Sequence, residues 1–313
     1  MAIWIGVEQE ATFGVDPVGT QKYMDFTRLT LDAPPTPDIV YPGASGRAEE
    51  LAVPGPYIPQ GEIEVGVDHT NFIWFLKACL GKETHSGAAD PYTHTFTPLA
   101  AQNLPSMTIY VNRSVIQHQF LGCTVRRLRL TVERGIMMGV VDIVAARDKK
   151  AIVDDTGRTY PTELFTARHG ALTIVDDVSA LAELFEVTIE NAVDVEDGVR
   201  QGSRFPAEFP VAGIDVTGRV RLAFKTQAEY TRFWGAAEGP SETTAATFAI
   251  VETLTYSATR TLTITCSKAK WTRIATPITG RDRIRQDLEF QALWHTTGDV
   301  INVAVKNAQA SYA

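Results

Sequence analysis

The sequence predicts a mainly β protein: two tandem β-sandwich or partial-barrel domains, each with one flanking α-helix. Three observations predict it. Short runs of alternating apolar and polar residues recur between glycine, proline and asparagine, the pattern of strands with one buried face. Only two segments carry a helical stripe. And one stretch, GEIEVGVDHTNFIWFLKACLG at 61–81, is matched by GRVRLAFKTQAEYTRFWG at 218–235. Both read as glycine, strand, polar break, aromatic-rich helix, glycine.

In chain order, strands are expected at 28–32, 62–67, 107–111, 125–133, 138–145, 186–190, 219–224, 260–266 and 284–293. The clearest is VRRLRLTVE at 125–133, where Leu128, Leu130 and Val132 share one face and Arg127, Arg129 and Thr131 the other. One helix is expected over 69–80, with Phe72, Ile73, Leu76, Cys79 and Leu80 on its buried stripe. A second is expected over 227–236, with Tyr230, Phe233 and Trp234 inward and a capping box from Thr226 to Glu229. The tryptophans Trp74, Trp234, Trp271 and Trp294 fall in expected regular elements, which suits cores. Two long Pro/Gly/acidic connections, 33–59 and 191–210, each precede the repeated stretch, and connections of that length are functional or disordered. The polar segment 147–160 reads as a linker between domains.

The repeat extends beyond its opening stretch. RLTLD at 28–32 resembles EVTIE at 186–190, MTIYV at 107–111 resembles LTIT at 262–265, and the block 135–143 resembles 280–288, with Asp142 against Asp287. Similar elements recur in one order with length changes confined to loops, so the chain reads as a duplicated unit. The domains expected are 1–150, a linker at 151–165, and 166–313.

The chain has 313 residues, of which 44% are hydrophobic and 21% charged, which is ordinary globular composition. Its net charge of −8 excludes a groove-filling nucleic-acid binder, which needs clustered Lys and Arg. Cys79, Cys123 and Cys266 lie apart in apolar stretches and read as buried thiols, without a CxxC pair. The opening MAIWIGVEQEATFG lacks a basic region and a long apolar core, and no apolar run approaches the ~18 residues that span a bilayer. A soluble protein made in a reducing compartment, without membrane contact, is the expectation.

No catalytic constellation emerges. His85 and His94 flank Asp90 in HSGAADPYTH, which reads as an exposed polar loop rather than a metal site. No HExxH, GxSxG, P-loop or GxGxxG is present. Acidic clusters such as Glu49-Glu50, Asp154-Asp155, Asp176-Asp177 and 194–197 read as solvated loop charge. No enzyme activity, cofactor or metal is expected. Duplication, long loops and the absence of chemistry point to an assembly protein whose arms add to neighbouring sheet edges.

The residues VEQEATFG at 7–14, GEIEV at 61–65 with its helix, LPSMTI at 104–109 followed by GCTVRRLRL at 122–130, and 184–191 followed by 213–224 resemble, in that order, the tail tube (major tail) proteins of long non-contractile-tailed bacteriophages. The second half lacks the Gly-Cys turn, so its two copies are not equivalent. The resemblance implies a virion structural protein, assembled in the host cytoplasm into stacked rings around a DNA channel. It also implies that a doubled chain forms trimeric rings of pseudo-sixfold symmetry, with a hexamer of single units as the alternative. Tape-measure, tip and terminator proteins are the implied partners, with transient DNA contact in the lumen. Glu62, Glu64, Arg219 and Arg221 are then expected to face the lumen. Asp38, Tyr41, Arg47, Glu49, Glu50, Asp194, Glu196, Asp197, Arg200 and Arg204 are expected in inter-ring or inter-subunit loops. A tip or carbohydrate-binding tail module is the alternative function.

Overall fold

In the computed structural model, residues 3–312 are described apart from 35–37, 43–48, 152–156, 176, 179–181, 244, 279, 281–282 and 297–298; for 38–42, 49–51 and 177–178 the backbone alone is described. The first half runs β1 (Trp4–Gln9), β2 (Lys22–Met24), β3 (Phe26–Leu29), β4 (Asp38–Pro42), β5 (Glu49–Pro54), β6 (Gln60–Gly66), α1 (Ile73–Leu80), β7 (Gly81–Ser86), β8 (Tyr92–Pro98), β9 (Met107–Asn112), β10 (Gln117–Val132), β11 (Met138–Val144) and β12 (Arg147–Ala151). A 3-10 turn at Ala167–His169 leads into the second: β13 (Gly170–Ile174), β14 (Asp177–Val178), β15 (Ala182–Val193), β16 (Val211–Ala223), α2 (Ala228–Trp234), β17 (Phe248–Ser257), β18 (Arg260–Ala275), β19 (Arg285–Ala292) and β20 (Asn302–Asn307). The protein is mainly β, as expected.

Every pairing between these strands is antiparallel, and the scheme recurs. The first half pairs in the order β2, β1, β9, β10, β11, β6, β3, with β12 also on β10. The second pairs β14, β13, β17, β18, β19, β16, β15, with β20 also on β18. Each half folds as two layers because one long strand, β10 or β18, serves both. The first part of β10 pairs with β9 and β12, and its second part with β11 and β15. A bulge precedes Arg127 on β10 and another precedes Arg273 on β18. Such bulges bend a strand and raise its twist. With these bulges matched, the register sets Arg127 against Arg273, Glu62 against Arg219, and Asp142 against Glu289. Asp142 thus answers Glu289 rather than Asp287, and 107–111, on β9, answers β17 rather than 262–265 on β18, because pairing runs across strands and not along the chain.

The halves are not independent bodies. Strand β10 pairs with β15 from Arg127↔Glu190 to Val132↔Phe185. One ladder thus runs β3, β6, β11, β10, β15, β16, β19, β18. The hairpin β7–β8 also crosses over, β8 pairing with β20 from Phe96↔Val303 to Tyr92↔Asn307. The main core is a single cluster spanning both halves, from Ile5 to Tyr312.

Why the repeated stretch begins with glycine is visible in the packing. A β-carbon on Gly61 would lie 2.5 Å from the Leu31 Cα, and one on Gly218 would lie 2.3 Å from the Phe290 ring. Neither backbone position has room for a side chain. The helices that follow are shorter than expected. Helix α1 begins at Ile73 because Asp68 holds the preceding turn, its carboxylate accepting from the Thr70, Asn71 and Phe72 amides. In α2 the expected capping box is absent. Glu229 is buried and accepts instead from Trp271 Nε1 at 2.9 Å and from Arg232. Phe233 points to solvent rather than inward, since the short helix meets its surroundings through Glu229, on Trp271 of β18, and Tyr230, on Phe224 and Thr276.

Other expectations change. The connection 33–59 contains the β4–β5 hairpin, and 147–151 of the expected linker is strand β12 on β10. His94 lies in β8, fully buried between Glu83 and the Gln309 carbonyl, not in an exposed loop. Trp294 lies beyond β19 and is exposed. All three cysteines are buried and free.

Glu10 ties the first half together. Its Oε1 accepts from Thr108 Oγ1 (2.7 Å) and the Gly122 amide (2.8 Å); its Oε2 accepts from Ser106 Oγ (2.6 Å) and the Gly14 amide (2.8 Å). One buried carboxylate thus gathers three of the short motifs singled out in the sequence. Replacing Glu10 with Ala strands these donors, and a loss of about 3 kcal/mol or more is expected in urea unfolding, since each buried unmet donor costs roughly 1–3 kcal/mol.

Candidate channel and assembly surface

The eight-strand ladder buries one face and presents the other. On β6 Ile63 and Val65 are buried, while Glu62 and Glu64 lie on the opposite side; on β16 Val220 and Leu222 are buried, opposite Arg219 and Arg221. The four residues singled out on these strands therefore share one continuous outward face. Its neighbours on β10, β11, β18 and β19 are also charged; of these the repeat singled out Asp142 and Asp287 but not Arg126, Arg273 or Glu289.

The face is charge-mixed rather than acidic. Arg127 reaches Glu62 at 3.1 Å and Asp142 at 3.4 Å, and Arg126, displaced outward by the bulge, reaches Asp142 at 2.8 Å. Arg28 lies 3.8 Å from Glu62. In the second half Asp287 accepts from Arg219 (3.1 Å) and Arg221 (2.9 Å), while Arg273 pairs with Glu289 (3.0 Å). Single exposed pairs contribute little to stability, about 0–1 kcal/mol each. Their collective effect is to pair each of these cations with a carboxylate, which weakens any counterion-releasing grip on phosphates.

The loop residues divide. Asp38 and Tyr41 lie on β4 and Glu49 and Glu50 on β5, a two-stranded sheet of its own; Arg47 falls outside the described residues. The loop after β15 folds onto the base of that hairpin. Asp194 Oδ1 accepts from the Glu196 and Asp197 amides, each at 3.0 Å, and fixes the turn. Arg200 pairs with Glu208 at 2.6 Å. Arg204 donates to the Gly55 carbonyl at 3.2 Å and stacks over the Tyr57 ring at 5.3 Å. Tyr57 Oη donates to Asp148 on β12 at 2.6 Å. Burial and the adjacent carboxylate push that phenol up to about 12. The end of the first long connection, at Gly55 and Tyr57, therefore packs on the second through aromatic and arginine contacts that sequence separation hid.

Among the described residues, no group of three or more His, Cys, Asp or Glu could hold a metal ion, and no helix is long and apolar enough to cross a membrane.

Asp287 carries a pH signature. Burial works to raise its pKa, but Arg221 and Arg219 outweigh it and hold the carboxyl below the ordinary value of 3.8. A depressed folded-state pKa gives stability that is present above the unfolded value and lost as pH falls through the folded one. Asp287→Asn is expected to unfold more readily than the parent at pH 7. The gap should close below about pH 4, read from denaturant midpoints across a pH series.

Comparison with curated proteins gives no match. A family model described as "Phage tail tube protein" matches residues 5–292. That span runs from β1 to the last residue of β19, so it takes in both layers, the ladder and its charged face. The family is one of structural virion tail components that build a multi-subunit tube, and this chain belongs to it.

Proposed function

We propose that this chain polymerises as rings stacked into a tail tube, and that the charge-mixed face of the ladder lines a channel through which DNA passes. One observation carries the reading. The last strand of the first half's ladder, β10, pairs with the first strand of the second half's, β15. Among the described residues, β18 beyond residue 271 and β3 each pair on one side only. They occupy the places of β10 and β15 in the recurring scheme. A β18 edge on one chain and a β3 edge on the next would repeat the internal seam between chains. A β18 edge that pairs with the β3 edge of the next chain around a closed ring leaves neither edge open.

Two tail-tube units per chain, 1–150 and 166–313 joined through 151–165, then give three chains per pseudo-sixfold ring. Glu62, Glu64, Arg219 and Arg221 face the lumen in this reading. The β4–β5 hairpin and the loop packed on it, carrying Asp194, Glu196, Asp197, Arg200 and Arg204, make contacts between rings or subunits. Assembly takes place in the host cytoplasm with tape-measure and tip or terminator proteins. A lumen in which positive and negative side chains neutralise one another at contact distance lets a polyanion slide without a sticking point.

Electron microscopy of the concentrated protein tests the ring. Hollow stacked rings of three chains are expected, and six chains per ring would overturn the two-unit reading. The β10–β15 register, carried onto the two free edges through the matched bulges, sets Ala275 opposite Asp32 of the next chain. Ala275→Cys with Asp32→Cys is expected to give covalent ladders on oxidation of assembled material; tubes without cross-links would discard this seam.

A further inference from the structure

Near one end of the β10–β15 seam lies a cavity of about 240 Å³, open to solvent on one side and lined by the end of β10, the start of β15, and the paired strands β13 and β17. Glu252 of β17 lines it. The buried side of β17 reads Phe248, Ile250, Glu252, Leu254, so a carboxyl occupies a place the alternation gives to an apolar side chain. Glu252 is 3% exposed, and no hydrogen-bond donor or cation meets it among the described residues. Its position is built, not accidental. A β-carbon on Gly170 would lie 2.6 Å from Glu252 Oε1, so glycine there leaves the space the carboxyl fills. Val132, Leu172 and Phe185 line the cavity, and Glu133 and Glu183 add two further carboxylates to it.

We propose that this cavity binds a small α,ω-diamine, one ammonium against the Glu252 carboxylate and the other at Glu133, with the methylene chain between the apolar walls. The site is independent of the channel reading. The chemistry of the lining selects the ligand class. A buried carboxyl with nothing to pair with is costly when ionised, and a single cation that enters with its own apolar stem removes that cost. A divalent metal is a poor fit because hard cations take many oxygen ligands and the described residues offer no cluster of metal-ligating side chains. The volume is below the roughly 300 Å³ at which drug-sized pockets begin, so the ligand has few heavy atoms. Glu183 is already held by Arg285 (2.7 Å) and Arg283 (3.4 Å), whereas among the described residues Glu133, half exposed, has only Arg221 at 3.6 Å. The second ammonium therefore goes to Glu133.

Burial pushes Glu252 up to about 7. The other titratable groups around it are Glu133, Arg221, Glu183, Arg283 and Arg285, together with His169 beside Gly170, whose pKa burial and Arg168 lower. A bound ammonium favours the carboxylate, so at neutral pH binding expels the Glu252 proton to solvent.

Isothermal titration of the purified chain with 1,4-diaminobutane tests this. Saturable binding is expected, weaker for 1-aminobutane and absent for 1,4-butanediol. Affinity in the unmodified chain should rise between about pH 6 and pH 8, with a buffer-dependent heat that reports the released proton. Glu252→Gln, matched in shape, should weaken binding by about tenfold or more, with folding checked by circular dichroism. The proposal is overturned if the unmodified chain shows no saturable binding, if affinity does not change with pH, or if a folded Glu252→Gln binds the diamine as the parent does.

Discussion

The ladder between β10 and β15 is the constraint on which the rest of the molecule depends. It closes one sheet edge of each half against the other. With it, the outward residues from Arg28 to Arg273 lie on one surface, and the inward residues join one cluster. The pairing asks much of β10. That strand must leave one layer, cross to the other, and still offer Leu128, Leu130 and Val132 inward against Phe185, Val187 and Ile189. It does so with irregularities between Phe120 and Cys123 and between Val125 and Arg127. Gly122, at φ +64°, lies in the first of these, and Glu10 accepts its amide. The short motifs of the first half are therefore the parts of one device that lets a strand change layers.

The second union of the halves is at the C-terminal end. Tyr312 is fully buried, packed edge-on against Trp74, His94 and Phe96, all from the first half. Its carbonyl accepts from Lys77 of α1, and Asn307 Nδ2 donates to the His69 carbonyl and Tyr312 Oη. Burial lowers the pKa of Lys77 although Glu83, 3.5 Å away, acts the other way. The end of the chain thus seals the helix of the opposite half. Together with β8–β20, it makes the two units mechanically one, a property suited to a wall that carries load along a tail.

In the proposed channel reading the outward face meets a physical conflict: the wall has to be polar, yet clustered cations grip phosphate and clustered anions repel one another across a narrow bore. Short cross-strand ion pairs would resolve it. Arg126 and Arg127 in one half and Arg219, Arg221 and Arg273 in the other each lie within contact distance of a carboxylate, while Arg129 of the same face has no such partner among the described residues. The pairs lie across strands, so the same register that holds the sheet also sets the charge pattern.

By itself the sequence determined the class of fold, its repeated stretch, the buried and outward faces of β10, and the family resemblance. These are local matters. Period-two alternation settles which side chain is buried, and glycine marks where backbone must approach closely, as at Gly61 and Gly218. Only the tertiary structure decided which strands neighbour which. That β12 lay within an apparent linker, that β4 and β5 pair within a Pro-rich connection, and that His94 is core depended on partners far along the chain. Polar strands such as β12 earn their place through a ladder of backbone bonds, which carries no hydrophobic signature. Glu252 shows the same limit from the other side. The strand that carries it, β17, was not among those expected from the sequence, and only packing revealed that Glu252 turns inward to a cavity without a partner among the described residues.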